Sequence, residues 1–271
     1  MTINSPIIIN TPSLDAVPLD VTEFGSGRPI LLLHGGGGQP TVAGFAGLLA
    51  EREHAHVFMP THPGFGGTVR PDAVTTVADL ARLYVALLDT LELVDVTVVG
   101  NSIGGWIAAE LALLKSPRVS SVILIDSVGA QVPGHPVVDF FGLTFPEIAS
   151  RSYFQPELFR IDPTTMTEQQ QAGLAANRAT LGVYTAAGME DPTLIDRLGA
   201  VTVATRVIWG AADRIADPEY GRALADAIPG ADFILLPRTG HLPQLETPGE
   251  LIAPVWDFAD RHSTHKPRPP A

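Results

Sequence analysis

Short apolar runs rich in β-branched residues alternate with segments of helical period along most of this 271-residue chain. That alternation constrains the fold more than any other feature. Strands that are apolar throughout, separated by amphipathic helices, belong to a mostly parallel sheet covered on both faces. Six runs read as such strands: Ile30–Leu33, His56–Met59, Asp95–Val99, Val122–Asp126, Val207–Trp209 and Phe233–Leu236. Helices are expected over 41–51, 76–91, 103–114, 217–228 and 249–261. In the second of these, Val77, Leu80, Leu83, Tyr84, Leu87 and Leu88 fall on one face. Residues 6–11 and 19–24 read as an opening pair of strands, close enough in sequence to form a hairpin.

The rhythm stops near Val128 and resumes near Thr205. Between them, helical segments and proline breaks without a strong strand predict a helical insertion over 128–198, with 1–127 and 199–262 forming the core. Phe140, Phe141, Phe145, Tyr153, Phe154, Phe159 and Tyr184 lie in this interval, which suits a layer whose apolar underside rests on the sheet. Residues 263–271 are polar and proline-rich and are expected to fray.

A net charge of −12 argues against nucleic acid and anionic membrane surfaces as partners, since both are held by clustered Lys and Arg. The absence of cysteine excludes disulfides, thiolate metal sites and a cysteine nucleophile. Ile7-Ile8-Ile9 is too short for a signal sequence or membrane span, so a cytoplasmic location is expected.

Chemistry concentrates at Gly100-Asn101-Ser102-Ile103-Gly104, where a strand run hands over to a helical pattern. A serine on such a turn projects its hydroxyl above the sheet edge, and the flanking glycines give the turn room. A serine hydroxyl needs a base, and the base needs a carboxylate to orient it. His241 follows the last strand and Asp213 the one before, both at the carboxyl edge where parallel sheets bind ligands. Asp126 ends a strand on the same edge and is the rival acid. The amides of Gly36, in the run Gly35–Gly38, and of Ile103, opening a helix, are the expected anion site for a tetrahedral intermediate. The glycine run lacks both dinucleotide spacing and a P-loop lysine, which discounts a nucleotide site. His54, His56 and His62 lack a nearby acid at ligand spacing and read as exposed loop histidines, so no metal site is expected.

Together, His34-Gly35-Gly36, the elbow extended to Gly105, Trp209-Gly210-Ala211-Ala212-Asp213 and Gly240-His241 resemble the α/β-hydrolase superfamily in order and spacing. The resemblance implies an α/β fold: a mostly parallel sheet of about eight strands, helices on both faces, and a helical cap inserted after the sixth strand. It also implies that Ser102 attacks, His241 shuttles the proton and Asp213 orients it, with no cofactor. Serine at the elbow separates this chain from the dehalogenase and epoxide hydrolase relatives, which use aspartate there. Asn101 and the glycine-rich loop are similar to the C–C hydrolases of meta-cleavage products, as well as to esterases. Leu242 stands where the C–C pattern has tryptophan.

The expected function is hydrolysis of a carboxylic ester of a small, mainly apolar molecule, with water as co-substrate. C–C hydrolysis of a vinylogous diketone is the alternative, and a non-catalytic ligand-binding protein the third reading. Phe65, Trp106, Phe140, Phe141 and His135 are the expected substrate contacts, and Arg151, Arg160 and Arg178 could meet a substrate carboxylate.

Overall fold

The structure, a computed structural model, describes residues 2–3, 6–11, 14–159, 163–186 and 188–264. Its amino-terminal strands are β1 (Thr2–Ile3), β2 (Ile7–Thr11), β3 (Leu14–Leu19), β4 (Val21–Gly25) and β5 (Arg28–Leu33). Helix α1 (Pro40–Arg52), β6 (Ala55–Pro60), α2 (Val77–Thr90), β7 (Val96–Asn101), α3 (Ile103–Leu113) and β8 (Val119–Ile125) follow. The carboxyl-terminal part holds β11 (Ala204–Gly210), α8 (Pro218–Ala227), β12 (Asp232–Leu236), α9 (Pro243–Glu246) and α10 (Pro248–Arg261). The main sheet has the order β1-β4-β6-β5-β7-β8-β11-β12, and its two-residue edge strand β1 pairs antiparallel with β4. Strand β4 also runs antiparallel to β6; every later pairing is parallel.

Period-two alternation divides each central strand between two cores. Ile30 and Leu32 face α1 and α10, packing with Phe45, Leu49, Leu251 and Val255. Leu31 and Leu33 face the other layer, with Leu80, Tyr84, Ile107 and Trp209. Helix α2 starts at a capping box, in which Thr76 accepts from the Asp79 amide while Asp79 accepts from the Thr76 amide.

One expectation is corrected at the amino terminus, and the helical interval holds one short strand pair besides its helices. Residues 7–11 pair with 14–19 in a separate antiparallel ribbon, while 21–25 joins the main sheet. A left-handed Ala16, whose amide donates to Asn10 Oδ1, turns the ribbon so that Ile9, Val17 and Leu19 are buried together. The interval after β8 contains the two-residue pair β9 (Gly129–Ala130) and β10 (Glu190–Asp191), invisible to periodicity because neither strand spans a full repeat. Its helices are α4 (Phe145–Ser152), α5 (Pro156–Phe159), α6 (Glu168–Tyr184) and α7 (Leu194–Arg197).

Of the expected tail, Ser263 and the Thr264 amide donate to the Asp95 carboxylate, whereas 265–271 lie outside the described residues. No helix among the described residues is long and apolar enough to cross a membrane.

Candidate active site

The end of β7 forces Ser102 into a conformation that few L-residues adopt, with φ 56° and ψ −121°. Holding a non-glycine residue there costs on the order of 1–3 kcal/mol, which the packing around it must offset. Gly100 and Gly104 make the turn possible. A Cβ on Gly100 would lie 2.0 Å from the Gly104 carbonyl oxygen, and one on Gly104 2.3 Å from the Leu33 carbonyl oxygen. The chain therefore doubles back tightly enough to lift Ser102 onto helix α3 as its first, non-helical residue.

His241 and Asp213 arrive from the two neighbouring loops. Asp213 Oδ1 accepts from the amides of Ile215 (2.8 Å) and Ala216 (3.3 Å), and His241 Nδ1 lies 2.8 Å from Asp213 Oδ2. A carboxylate between two amides and an imidazole can only accept, so the ring proton sits on Nδ1 and Nε2 keeps its lone pair. Both residues are buried, at 2 % and 5 % exposure, and water competes little for this bond. Ser102 and His241 line the same cavity. Among the described residues the Ser102 hydroxyl makes no hydrogen bond and is free to rotate toward the ring; such contacts tighten when substrate is bound.

Asn101 holds the histidine loop. Its Nδ2 donates to the carbonyls of His241 (3.0 Å) and Ile125 (3.2 Å), while Oδ1 accepts from Gln244 (3.0 Å). From the other side the His241 amide donates to the backbone carbonyl of Ser152 in α4 at 2.7 Å, fixing the loop against the inserted helices. The role of Ser152 escaped sequence reasoning, because no pattern couples residues 89 positions apart.

Gly35 and Gly36 border the cavity beside Ser102, and the amides of Gly36 and Ile103 are taken by no other group among the described residues. A Cβ on Gly35 would lie 3.2 Å from Ser102 Cβ. Beneath this loop, His62 refutes the expectation of an exposed loop histidine. It is fully buried, its ring centroid 3.7 Å from that of His34 at a tilt of 32°, bonded to the Tyr84 hydroxyl and within 2.9 Å of the His34 carbonyl. Burial, against a weaker opposing contact with the Gly35 carbonyl, lowers the His34 pKa to about 4. Burial and then the neighbouring His34 hold His62 well below its usual value, so two neutral rings brace the start of the glycine loop. His56 pairs instead with Glu23 at 2.8 Å.

The cavity measures about 710 Å³, a size typical of small-molecule sites. Phe140 lines it, together with Phe145, Ile148, Tyr153, Leu174, Met189 and Ile215. The other expected contacts are corrected. Phe65 is fully buried against the edges of His34 and His62, and Trp106 is packed within the core. Phe141 packs against Gly182 of α6, and His135 pairs with Asp217 at 2.8 Å, away from the cavity. The missed lining residues follow helical spacing: 145, 148, 149 and 152 in α4, then 168, 171, 172 and 175 in α6. That spacing was the available signal.

Arg178 reaches the cavity, but its guanidinium donates to the carbonyls of Phe140, Phe141 and Leu143 and lies over the Phe140 ring. Arg151 is exposed, and Arg160 lies outside the described residues. Asp126, Asp213 and His241 place one ligand atom each within 4.8 Å of one another. Both Asp213 oxygens and His241 Nδ1 are already engaged in hydrogen bonds, so this trio is built as an acid pair with an imidazole more than as a metal cradle.

Residues 30–255 match the model of the Alpha/beta hydrolase family. The chain belongs to that family. It is therefore a hydrolase, with the fold described above. Similar proteins include a 2-hydroxy-6-oxo-6-phenylhexa-2,4-dienoate hydrolase of Burkholderia cepacia, 26% identical over 89% of this chain and 90% of that relative. A 2-hydroxymuconate semialdehyde hydrolase of Pseudomonas putida is 29% identical over 83% of this chain and 84% of its own length. Among solved structures, a thermophilic esterase from Thermogutta terrifontis is 25% identical, with a TM-score of 0.76 over 97% of this chain and all of that one.

Proposed function

We propose that this chain hydrolyses a carboxylic ester of a small, mainly apolar compound through an acyl-enzyme on Ser102. The observation that carries the reading is the His241 Nδ1–Asp213 contact of 2.8 Å, which leaves Nε2 as a base on the cavity that Ser102 borders. In this reading Nε2 takes the Ser102 proton as Oγ attacks the ester carbonyl, and Asp213 stabilises the imidazolium that forms. The oxyanion is received by the amides of Gly36 and Ile103, the second at the positive end of α3. Collapse of the tetrahedral intermediate expels the alcohol, which takes the proton from His241. Water, deprotonated by the same nitrogen, then releases the acid. No cofactor enters this scheme. Residues 128–198 act as a cap that sets specificity over the 1–127 and 199–262 core.

The second reading is C–C cleavage of a vinylogous diketone, favoured by the names of the Burkholderia and Pseudomonas relatives and by Arg178 at the cavity wall. Against it stand the carbonyls that occupy Arg178 and the leucine at 242. The test compares kcat/KM for a p-nitrophenyl ester and a 2-hydroxy-6-oxo-dienoate, with Ser102→Ala as background. Faster ester turnover supports the proposal, and faster dienoate turnover replaces it with the second reading.

A further inference from the structure

The carboxyl edge of the sheet holds a buried carboxyl group that the proposed reaction leaves unused. Asp126 follows β8 with φ 42° and is fully buried. Its amide donates to the Ile208 carbonyl at 3.0 Å, and its Oδ1 accepts from the Gly210 amide at 2.8 Å, so both ends are fastened to β11 just before Asp213. Its Oδ2 is sealed from solvent, and no donor reaches it among the described residues. A carboxyl oxygen of Asp126, one of Asp213 and a ring nitrogen of His241 lie within 4.8 Å of one another.

Two ionised carboxylates that close, cut off from water, cannot both persist, so the pair holds one proton. The donors decide where it sits. Asp213 accepts from two amides and the His241 ring, whereas Asp126 accepts from one amide. The charge belongs on Asp213 and the proton on Asp126. Burial, then the charge of Asp213, then hydrogen bonding between the two acids push the Asp126 carboxyl well above the usual carboxylate range. Only the Gly210 amide pulls it back. The ionisable groups facing it are Asp213 and His241 on the neighbouring loops and Glu246 of α9, whose charge pushes the same way. Protonation also converts this orphaned acceptor into a donor facing an acceptor-rich neighbour.

We propose that Asp126 is a positioning acid that donates its carboxyl proton to Asp213, and that it can replace Asp213 as the partner of His241 once that side chain is removed. The proposal rests on the triad reading above and adds a fourth member that never touches substrate.

The test uses the full chain, a p-nitrophenyl ester and thermal unfolding. Asp126→Asn keeps a donor in place and is expected to retain at least about a third of the wild-type kcat. Asp126→Ala is expected to lose about ten-fold in kcat with little change in KM. Its acid limb of kcat/KM should move to higher pH, because Asp213 then holds the imidazolium without a competing donor. In the Asp213 series the order is inverted from what size alone would give. Asp213→Ala opens room for Asp126 to ionise and reach the ring, and should exceed Asp213→Asn by about ten-fold. The double variant Asp126→Asn/Asp213→Ala should fall back to the Asp213→Asn level.

Unfolding supplies a readout independent of turnover. Above the ordinary carboxylate range the native chain keeps a proton that the unfolded chain releases, so the contribution of Asp126 to stability falls with rising pH. Asp126→Asn lacks that loss, and its Tm should rise relative to wild type as pH climbs above that range. Equal kcat and unshifted pH profiles for the asparagine and alanine variants would overturn the proposal. So would Asp213→Ala at or below Asp213→Asn, or a Tm difference that is flat with pH. Wild-type protein that fails to react with a fluorophosphonate would instead defeat the triad reading, leaving the Tm comparison to judge the protonated Asp126 by itself.

Discussion

Asparagine at position 213 is nearly isosteric with aspartate, yet it should nearly abolish turnover, and the surrounding donors say why. Asp213 Oδ1 accepts from the amides of Ile215 at 2.8 Å and Ala216 at 3.3 Å. An asparagine must turn its carbonyl toward these two buried donors, because facing them with an NH2 group leaves both unsatisfied. Each orphaned donor costs about 1–3 kcal/mol, and since the longer bond is the weaker, the preference is about 2–5 kcal/mol. The NH2 group then faces His241 Nδ1, which must accept, and the ring proton moves to Nε2, where the Ser102 proton has to go. Restoring the working tautomer requires flipping the amide against that preference. At about 1.4 kcal/mol per decade, kcat should fall by about 1.5 to 3.5 orders of magnitude. Substrate binding and Tm should change little, since the side chain keeps its volume and its amide contacts. The assay is kcat and KM on a p-nitrophenyl ester, the rate of fluorophosphonate acylation, and a thermal melt. A variant within ten-fold of wild type, with an unchanged Tm, would refute the claim that this contact sets the histidine tautomer.

Four other outcomes follow from the same geometry. Asn101→Ala removes two donors from the carbonyls of His241 and Ile125 and an acceptor from Gln244; kcat should drop by about 10–100-fold, and retention of full activity would show that the histidine loop is held without it. Gly100→Ala would drive a Cβ to 2.0 Å from backbone, so a loss of folding or of more than about 4 kcal/mol in denaturant unfolding is expected; a normal melt would contradict the close packing of the elbow. His34 and His62 remain neutral when buried, whereas the unfolded chain protonates them below its ordinary value of 6.5. Stability should therefore decline as pH falls from 6.5 toward 4 by about 1.4 kcal/mol per unit for each ring, offset in part by Asp126; a His62→Gln variant should lose one ring's share of that slope, and an unchanged slope would refute it. Ala149→Phe fills part of the 710 Å³ cavity and should lower kcat/KM for octanoate esters at least about ten-fold more than for acetate esters, an expectation defeated if both change alike.

The sheet was legible because its central strands are buried on both faces and are apolar without interruption, as Ile30–Leu33 and Val122–Ile125 show. The helices between them carried their stripes and caps openly, Thr76 to Leu88 being one case. Ser102, Asp213 and His241 could be singled out because each follows a strand, and parallel strands bring their carboxyl ends to one edge. What stayed hidden depends on contacts far apart in sequence. Asn101 looks like an elbow residue until its amide is seen to hold the His241 carbonyl. Phe65 and Trp106 have the right chemistry for a cavity wall, but backbone geometry turns both into the core. His62 reads as a loop histidine because nothing nearby in sequence announces His34 and Tyr84 as its partners. In the inserted helices, aromatic content drew attention to Phe141 and away from the helical spacing of Ile148, Ala149 and Ala175 that lines the cavity.

The most direct test of the central claim is covalent capture of the nucleophile. Folded protein is treated with a fluorophosphonate, its intact mass is measured, and the labelled peptide is sequenced by tandem mass spectrometry. The account predicts one label per chain, carried on Ser102 and absent from Ser102→Ala, with loss of esterase activity tracking the extent of labelling. An unmodified Ser102, or a label elsewhere while activity disappears, would contradict it.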